Sequence, residues 1–164
     1  RELFEFGYMQ TDPNFANYQY RRKTGEIVLL DFGATRRFKA AFVNNYKKLV
    51  RAAIAGDEDK LAAAAERLGY AMGDADSAYR ELVLQLLTLA LEPVCNDAIY
   101  DFARSDMARN MSKLAEDIGS YRDFWQVPPT DAVYFHRKIG GMFMLASRLK
   151  ARVNVHQLIQ RWLR

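Results

Sequence analysis

Cysteine is nearly absent from this sequence: Cys95 stands alone among 164 residues. A lone thiol makes no intramolecular disulfide, so a stapled secreted scaffold is excluded, as is a zinc site built from several cysteines, and a reducing intracellular setting fits. Histidine is scarce as well, and His136 and His156 stand too far apart to form a metal-binding motif. Long hydrophobic runs are also missing. The longest, Leu82 to Val94, is broken by Gln85, Thr88 and Glu92, and it falls short of the roughly 20 residues a membrane-spanning helix requires. Neither a methionine nor a signal-like stretch opens the chain at Arg1, so an excised piece of a longer protein is expected. Repeats and low-complexity linkers are absent too.

What is present is the composition of one folded unit. Half of the residues are hydrophobic and 27% are charged, which excludes disorder as the main state, and the length suits one core rather than two domains. The net charge of +4 hides a segregation. Residues 1–56 carry ten basic and five acidic side chains, residues 57–131 seven and fifteen, and residues 132–164 seven and none. Basic and acidic regions of this kind pair within a fold, or leave a basic face for phosphates or anionic lipid. No nucleic acid partner is expected.

The first forty residues differ from the rest. Tyr18–Arg21 and Glu26–Leu30 are short aromatic and β-branched runs joined by Arg22-Lys23-Thr24-Gly25, which predicts a β-hairpin. From Lys39 strand signals vanish and apolar residues recur at helical spacing (Phe42, Val43, Tyr46, Leu49, Val50, Ala53, Ile54) until Gly56. Further helices are predicted from an Asp57 cap to about Gly69, from Tyr79 to Glu92 after an Asp74–Ser77 turn and ending at Pro93, and from Ser105 to Ile118. Two more are predicted from Asp131 to Leu149 with Thr130 as cap, and after Asn154 with Gln157 three residues on. The fold class is therefore mainly α with one β-hairpin.

The chemistry lies on either side of that hairpin. Asp12 precedes Asn17 by five residues, and the chain then runs up one strand and down the other to Asp31-Phe32-Gly33. Strands of similar length bring Asn17 and Asp31 to one end of the hairpin. A carboxylate beside an amide oxygen suits Mg²⁺, which keeps phosphate oxygens and waters in its other positions. Asp12, close by, is placed to orient or deprotonate an attacking hydroxyl or water. This is the catalytic-loop and metal-loop arrangement of kinase-like enzymes, with Asp12 as base and Asn17 and Asp31 as ligands of Mg²⁺ and ATP. Taken singly, Asp12-Pro13-Asn14 also reads as a turn and Asp31 as a cap, but that reading does not explain the spacing.

Gln10-Thr11-Asp12-Pro13-Asn14-Phe15-Ala16-Asn17 followed by Leu30-Asp31-Phe32-Gly33-Ala34-Thr35-Arg36 resembles the UbiB family of atypical kinase-like proteins. His136-Arg137-Lys138-Ile139-Gly140-Gly141 and Ala151-Arg152-Val153-Asn154-Val155 resemble it as well. The resemblance implies a kinase-like C-terminal lobe, with residues 1–38 holding the catalytic loop, hairpin and D-F-G and residues 39–164 forming a helical subdomain. It implies ATP with Mg²⁺ as ligand and a role in quinone-lipid (ubiquinone) synthesis at a membrane. ATP hydrolysis is favoured over phosphorylation of proteins. The partners implied are an anionic membrane surface and quinone-biosynthesis proteins or lipid intermediates, at the bacterial inner membrane or on the mitochondrial matrix side. An N-terminal lobe would carry the phosphate-covering loop and the strand lysine, so this piece alone is expected to be inactive.

Several features set the chain apart from ordinary protein kinases. Gln10 and Thr11 replace the His-Arg pair before the Asp, so a phospho-switch is not expected. Asn14 stands where a lysine would face the transferring phosphoryl group, and about five residues separate Gly33 from the next helix with no Ala-Pro-Glu, so a peptide platform is absent. A small-molecule phosphotransferase and a non-catalytic ATP-binding scaffold are the rival readings. Arg36 and Arg37 are read as solvated or paired with acids, with phosphate or lipid-headgroup binding as the alternative. His136 is expected to be a paired structural residue, and His156 to be exposed. Gly140-Gly141 is expected to admit a neighbouring helix, Met142 to Leu145 to fill core, and Cys95 to act as a small buried hydrophobe.

Overall fold

The structure is a computed structural model that describes residues 1–70, 77–121 and 128–163. A helical turn at Glu2–Phe6 leads into β1 (Tyr8–Gln10), and a short 3₁₀ turn at Phe15–Asn17 leads into β2 (Tyr18–Arg21). β3 (Glu26–Leu29) and β4 (Thr35–Arg37) follow, then α1 (Ala40–Ala55), α2 (Glu58–Arg67), α3 (Ser77–Ala90) and α4 (Glu92–Cys95). The chain continues through β5 (Tyr100–Asp101), α5 (Met107–Gly119), α6 (Thr130–Arg148), β6 (Arg152–Val153) and α7 (Val155–Gln160). The fold is mainly α, as its sequence indicates.

The hairpin forms at its expected residues, with Tyr18 opposite Leu29 and Arg21 opposite Glu26. Gly25, at φ 72°, turns the chain where a side chain would be strained, and its N–H donates to the Arg21 carbonyl at 2.8 Å. Two further antiparallel ladders accompany it. β1 pairs with β4, Tyr8 opposite Arg37 and Gln10 opposite Thr35, so the hairpin is nested inside an outer pair of strands. β5 pairs with β6, Tyr100 opposite Val153. These ladders have two or three rungs, too few for alternation to show in the sequence.

α1 supplies the centre of the core. Its buried residues Phe42, Val43, Tyr46, Leu49 and Val50 recur three and four apart and so share one face. Leu61, Ala62, Ala64 and Ala65 of α2, Tyr79, Val83 and Leu87 of α3, and Ala132 and Phe135 of α6 close over it. The Phe42, Tyr46 and Phe135 rings meet, with Tyr46 and Phe135 centroids 4.1 Å apart. Leu3, Met9 and Phe38 extend this core beneath the outer strand pair.

Several helix ends differ from expectation. The Asp57 side chain caps α2 by accepting from Lys60 N–H, and Asn154 caps α7 by accepting from Gln157 N–H, both as predicted. Thr130 is instead the first helical residue of α6, preceded by Pro129 without a side-chain cap. Pro93 does not end a helix: α3 stops at Ala90, and Pro93 lies in the first turn of α4, where its missing N–H leaves no bond unmade. The predicted Asp74–Ser77 turn lies outside the described residues except for Ser77, which opens α3. Among the described residues no helix is long and apolar enough to cross a membrane.

Candidate active site

β1 delivers the chain to Asp12, and β3 and β4 flank Asp31. The outer strand pair continues into the loops: Thr11 N–H and Oγ1 both donate to the Ala34 carbonyl, at 3.0 and 2.8 Å, and Thr11 is buried. The residue before Asp12 is thereby bonded to the residue after Gly33. At the inner hairpin, Leu30 N–H donates to the Asn17 carbonyl at 3.0 Å, which sets Asp31 one residue from the Asn17 backbone.

The side chains follow from this frame. Asn17 Nδ2 donates to Asp12 Oδ2 at 2.9 Å. With its nitrogen committed to a carboxylate, the Asn17 amide keeps its oxygen without a partner among the described residues, and an amide oxygen is a ligand that a hard cation accepts. Asp31 is exposed, and its Oδ1 accepts from Gly33 N–H at 2.7 Å, which leaves Oδ2 without a partner among the described residues. Asp12 and Asn17 are in direct contact, whereas Asp31 is linked to Asn17 through the backbone bond of its neighbour Leu30, and its side chain bonds Gly33 rather than either of them. No three His, Cys, Asp or Glu side chains converge among the described residues. The oxygen-bearing side chains singled out by the sequence are thus two carboxylates and an amide, fewer than a cation held by protein alone would take.

α6, more than a hundred residues downstream, backs both loops. Arg137 donates to Asp12 Oδ1 at 3.3 Å. Lys138 is only 6% exposed and has no carboxylate partner among the described residues; its Nζ donates to Gln10 Oε1 at 3.0 Å and to Tyr18 Oη at 2.6 Å. Gln10 Nε2 is buried without a partner. Tyr18 in turn donates its hydroxyl to Met142 Sδ at 3.6 Å. Gly141 lies against Pro13 so closely that a Cβ there would overlap the proline ring. The glycine pair therefore admits Pro13 of the Asp12–Asn17 loop at Gly141, and not a neighbouring helix. Arg36 is bonded to Asp131 at 2.9 Å and lies over the Tyr134 ring, and Arg37 lies over Tyr8. The pairing reading holds for Arg36.

Other expectations shift. Met144 is 64% exposed, so the Met142–Leu145 run does not simply fill core, although Phe143 packs on Phe102. Cys95 is half-buried, and burial raises its thiol pKa. His156 is half-buried rather than exposed, with Nδ1 2.8 Å from the Val94 carbonyl. His136 is paired as expected: Tyr46 and Tyr70 hydroxyls lie 3.0 and 2.6 Å from its Nε2. The ring opens onto an apolar cavity of about 330 Å³ between α3, α5 and α6. Burial holds the imidazole below the usual histidine pKa and pushes Tyr70 up to about 12. Sequence reasoning passed over Arg137, Lys138 and the seat for Pro13. The spacing of residues 131, 134, 138 and 141, which fall on one face of a helix, was a signal for Lys138 and Gly141 but not for Arg137.

Comparison with known proteins agrees with this architecture. Residues 1–65 match the ABC1 atypical kinase-like domain. The chain is 34% identical over 160 residues to the mitochondrial atypical kinase COQ8B of Rattus norvegicus, covering 98% of this chain and 30% of that protein. It is 35% identical over 161 residues to the mitochondrial atypical kinase COQ8 of Saccharomyces cerevisiae, covering 97% of this chain and 32% of that one. The chain belongs to the UbiB (ABC1) family of atypical kinase-like proteins. It spans about a third of the length of these two relatives. Within that span the family assignment reaches from the nested strands through α7.

Proposed function

We propose that this chain is the ATP- and Mg²⁺-binding C-terminal lobe of an atypical kinase-like ATPase that supports quinone-lipid synthesis at a membrane. The observation that carries the reading is the Asp12–Asn17 bond at the mouth of a hairpin that returns the chain to Asp31-Phe32-Gly33. Asp31 and Asn17 would hold Mg²⁺, through the Asp31 Oδ2 and Asn17 Oδ1 atoms that have no partner among the described residues. Bound Mg²⁺ supplies charge neutralisation for the nucleotide phosphates. Asp12, fixed on one side by Asn17 and on the other by Arg137, accepts a proton from the attacking hydroxyl or water through its carboxylate.

The quinone-lipid setting rests on the family resemblance, and the mitochondrial relatives favour the matrix side over a bacterial inner membrane. The basic residues of 132–164 support a membrane surface as partner. We assign the phosphate-covering loop and strand lysine to another part of the polypeptide. The exposed apolar side chains Tyr20, Ile27, Leu30 and Phe32 on the hairpin supply a face for that part to cover.

The test is metal-dependent nucleotide binding in the full-length native polypeptide. Asp31→Asn removes the charged ligand, and the thermal shift given by ATP with Mg²⁺ should vanish while the melt without nucleotide is kept. An undiminished ATP·Mg²⁺ shift in that variant rules the assignment out.

A further inference from the structure

The catalytic loop of this chain carries no cation: Gln10, Thr11, Pro13 and Asn14 surround Asp12. Phosphoryl transfer concentrates negative charge on the transferring group, and a positively charged donor there lowers the barrier. The basic side chains that the fold brings to the loop differ in what already holds them. Arg36 is neutralised by Asp131 at 2.9 Å and covered by the Tyr134 ring. Lys138 is buried and spent on Gln10 and Tyr18. Arg148 lies over the Phe15 ring, 5.9 Å from its centroid.

Arg137 is different. Its side chain is 59% exposed, and its partner among the described residues is the Asp12 carboxylate itself, engaged through one nitrogen at 3.3 Å. A guanidinium has five N–H donors in a planar fork, so most of them have no partner among the described residues, and the Asp12 oxygen it meets is not the one that Asn17 bonds. The two neighbours of Arg137 in space fix the helix that carries it: Lys138 is pinned beneath Gln10, and Gly141 is seated on Pro13.

We infer that Arg137 is the catalytic cation of this site, supplied from α6 in place of the lysine that the loop lacks, with its fork shared between Asp12 and the transferring phosphoryl group. This rests on the reading of the site as a Mg²⁺·ATP site. In the step it serves, a bond forms between the attacking oxygen and the γ-phosphorus, and the bond from that phosphorus to the bridging oxygen breaks. The bridging oxygen leaves with the electron pair on ADP, and the proton of the attacking oxygen passes to Asp12. Arg137 donates hydrogen bonds to the phosphoryl oxygens throughout and gives up no proton.

Three variants of the full-length polypeptide test this, with free phosphate release at saturating ATP·Mg²⁺ and the ATP·Mg²⁺ thermal shift as readouts. Arg137→Gln keeps an N–H donor for Asp12 but removes the charge; its turnover should fall by about 10²-fold, as for loss of one transition-state donor, with the thermal shift retained. Arg137→Lys keeps the charge and should lose less. Arg137→Ala should fall as Arg137→Gln does and regain turnover when guanidinium is added at concentrations too low to unfold the protein, a response that a purely structural role would not give. Wild-type turnover in Arg137→Gln, or no response of Arg137→Ala to guanidinium, overturns the inference. Absence of turnover in wild type with the ATP·Mg²⁺ thermal shift retained overturns this inference alone, whereas absence of that shift in wild type removes the Mg²⁺·ATP reading and this inference with it.

Discussion

Gly141 and Gly140 are adjacent in sequence and opposite in surroundings. A methyl group at Gly141 would meet the Pro13 ring, whereas nothing lies within 4 Å of one at Gly140. Gly141→Ala should therefore cost about 1–3 kcal/mol, as overpacking does. Gly140→Ala should gain about 0.5–1 kcal/mol from helix propensity. Denaturant unfolding of the two variants measures both, and equal effects would mean that Pro13 does not sit on Gly141. This asymmetry was not legible in the sequence, because two glycines in a helix look alike until the loop that touches one of them is placed. The hairpin that separates Asn17 from Asp31 was legible for the opposite reason: it is local, and its length fixes where its ends meet. The same logic explains the missed Arg137, since a cation on a helix is solvated by default and 125 positions separate it from Asp12.

At the scale of elements, α6 is the strut of the site. Its first turn holds β4 through Asp131 and Arg36, and its middle holds the catalytic loop through Arg137, Lys138 and Gly141. The Arg36–Asp131 pair is partly exposed, at 36% and 24%, so its contribution to global stability is at most about 1 kcal/mol. Its effect should be local. Asp131→Asn should speed amide exchange at Thr11, whose N–H bonds the Ala34 carbonyl across the two loops, and at Thr35, whose N–H bonds the Phe32 carbonyl within the second loop, while the amides of α1 keep their protection. Unchanged exchange at Thr11 and Thr35 would show that α6 does not brace these loops. The helices were legible because their apolar spacing runs over many residues, α1 most of all. The β1–β4 ladder was not, because three rungs carry too little alternation, yet it is this ladder that ties Asp12 to the residues after Asp31.

Over the whole molecule, charge segregation is partly spent inside the fold. Of the seven cations in 132–164, Arg137 and Arg152 pair with Asp12 and Asp101, and Lys138 is buried, while Arg148 and Lys150 have no acidic partner among the described residues. Near an anionic leaflet each free Lys or Arg contributes about 1 kcal/mol, and salt screens it. On the function proposed above, such a surface would bring turnover to a membrane, and the lack of an Ala-Pro-Glu segment after Gly33 would direct phosphate to water or a small acceptor. The direct measurement compares free phosphate with protein-bound label from labelled ATP, in full-length wild type and Asp12→Asn, with anionic vesicles at low and high salt. Free phosphate should dominate, rise with anionic vesicles at low salt, and fall in Asp12→Asn by roughly 10² to 10⁴-fold with ATP·Mg²⁺ binding retained. Label accumulating on a partner protein, or equal turnover in wild type and Asp12→Asn, would contradict the account.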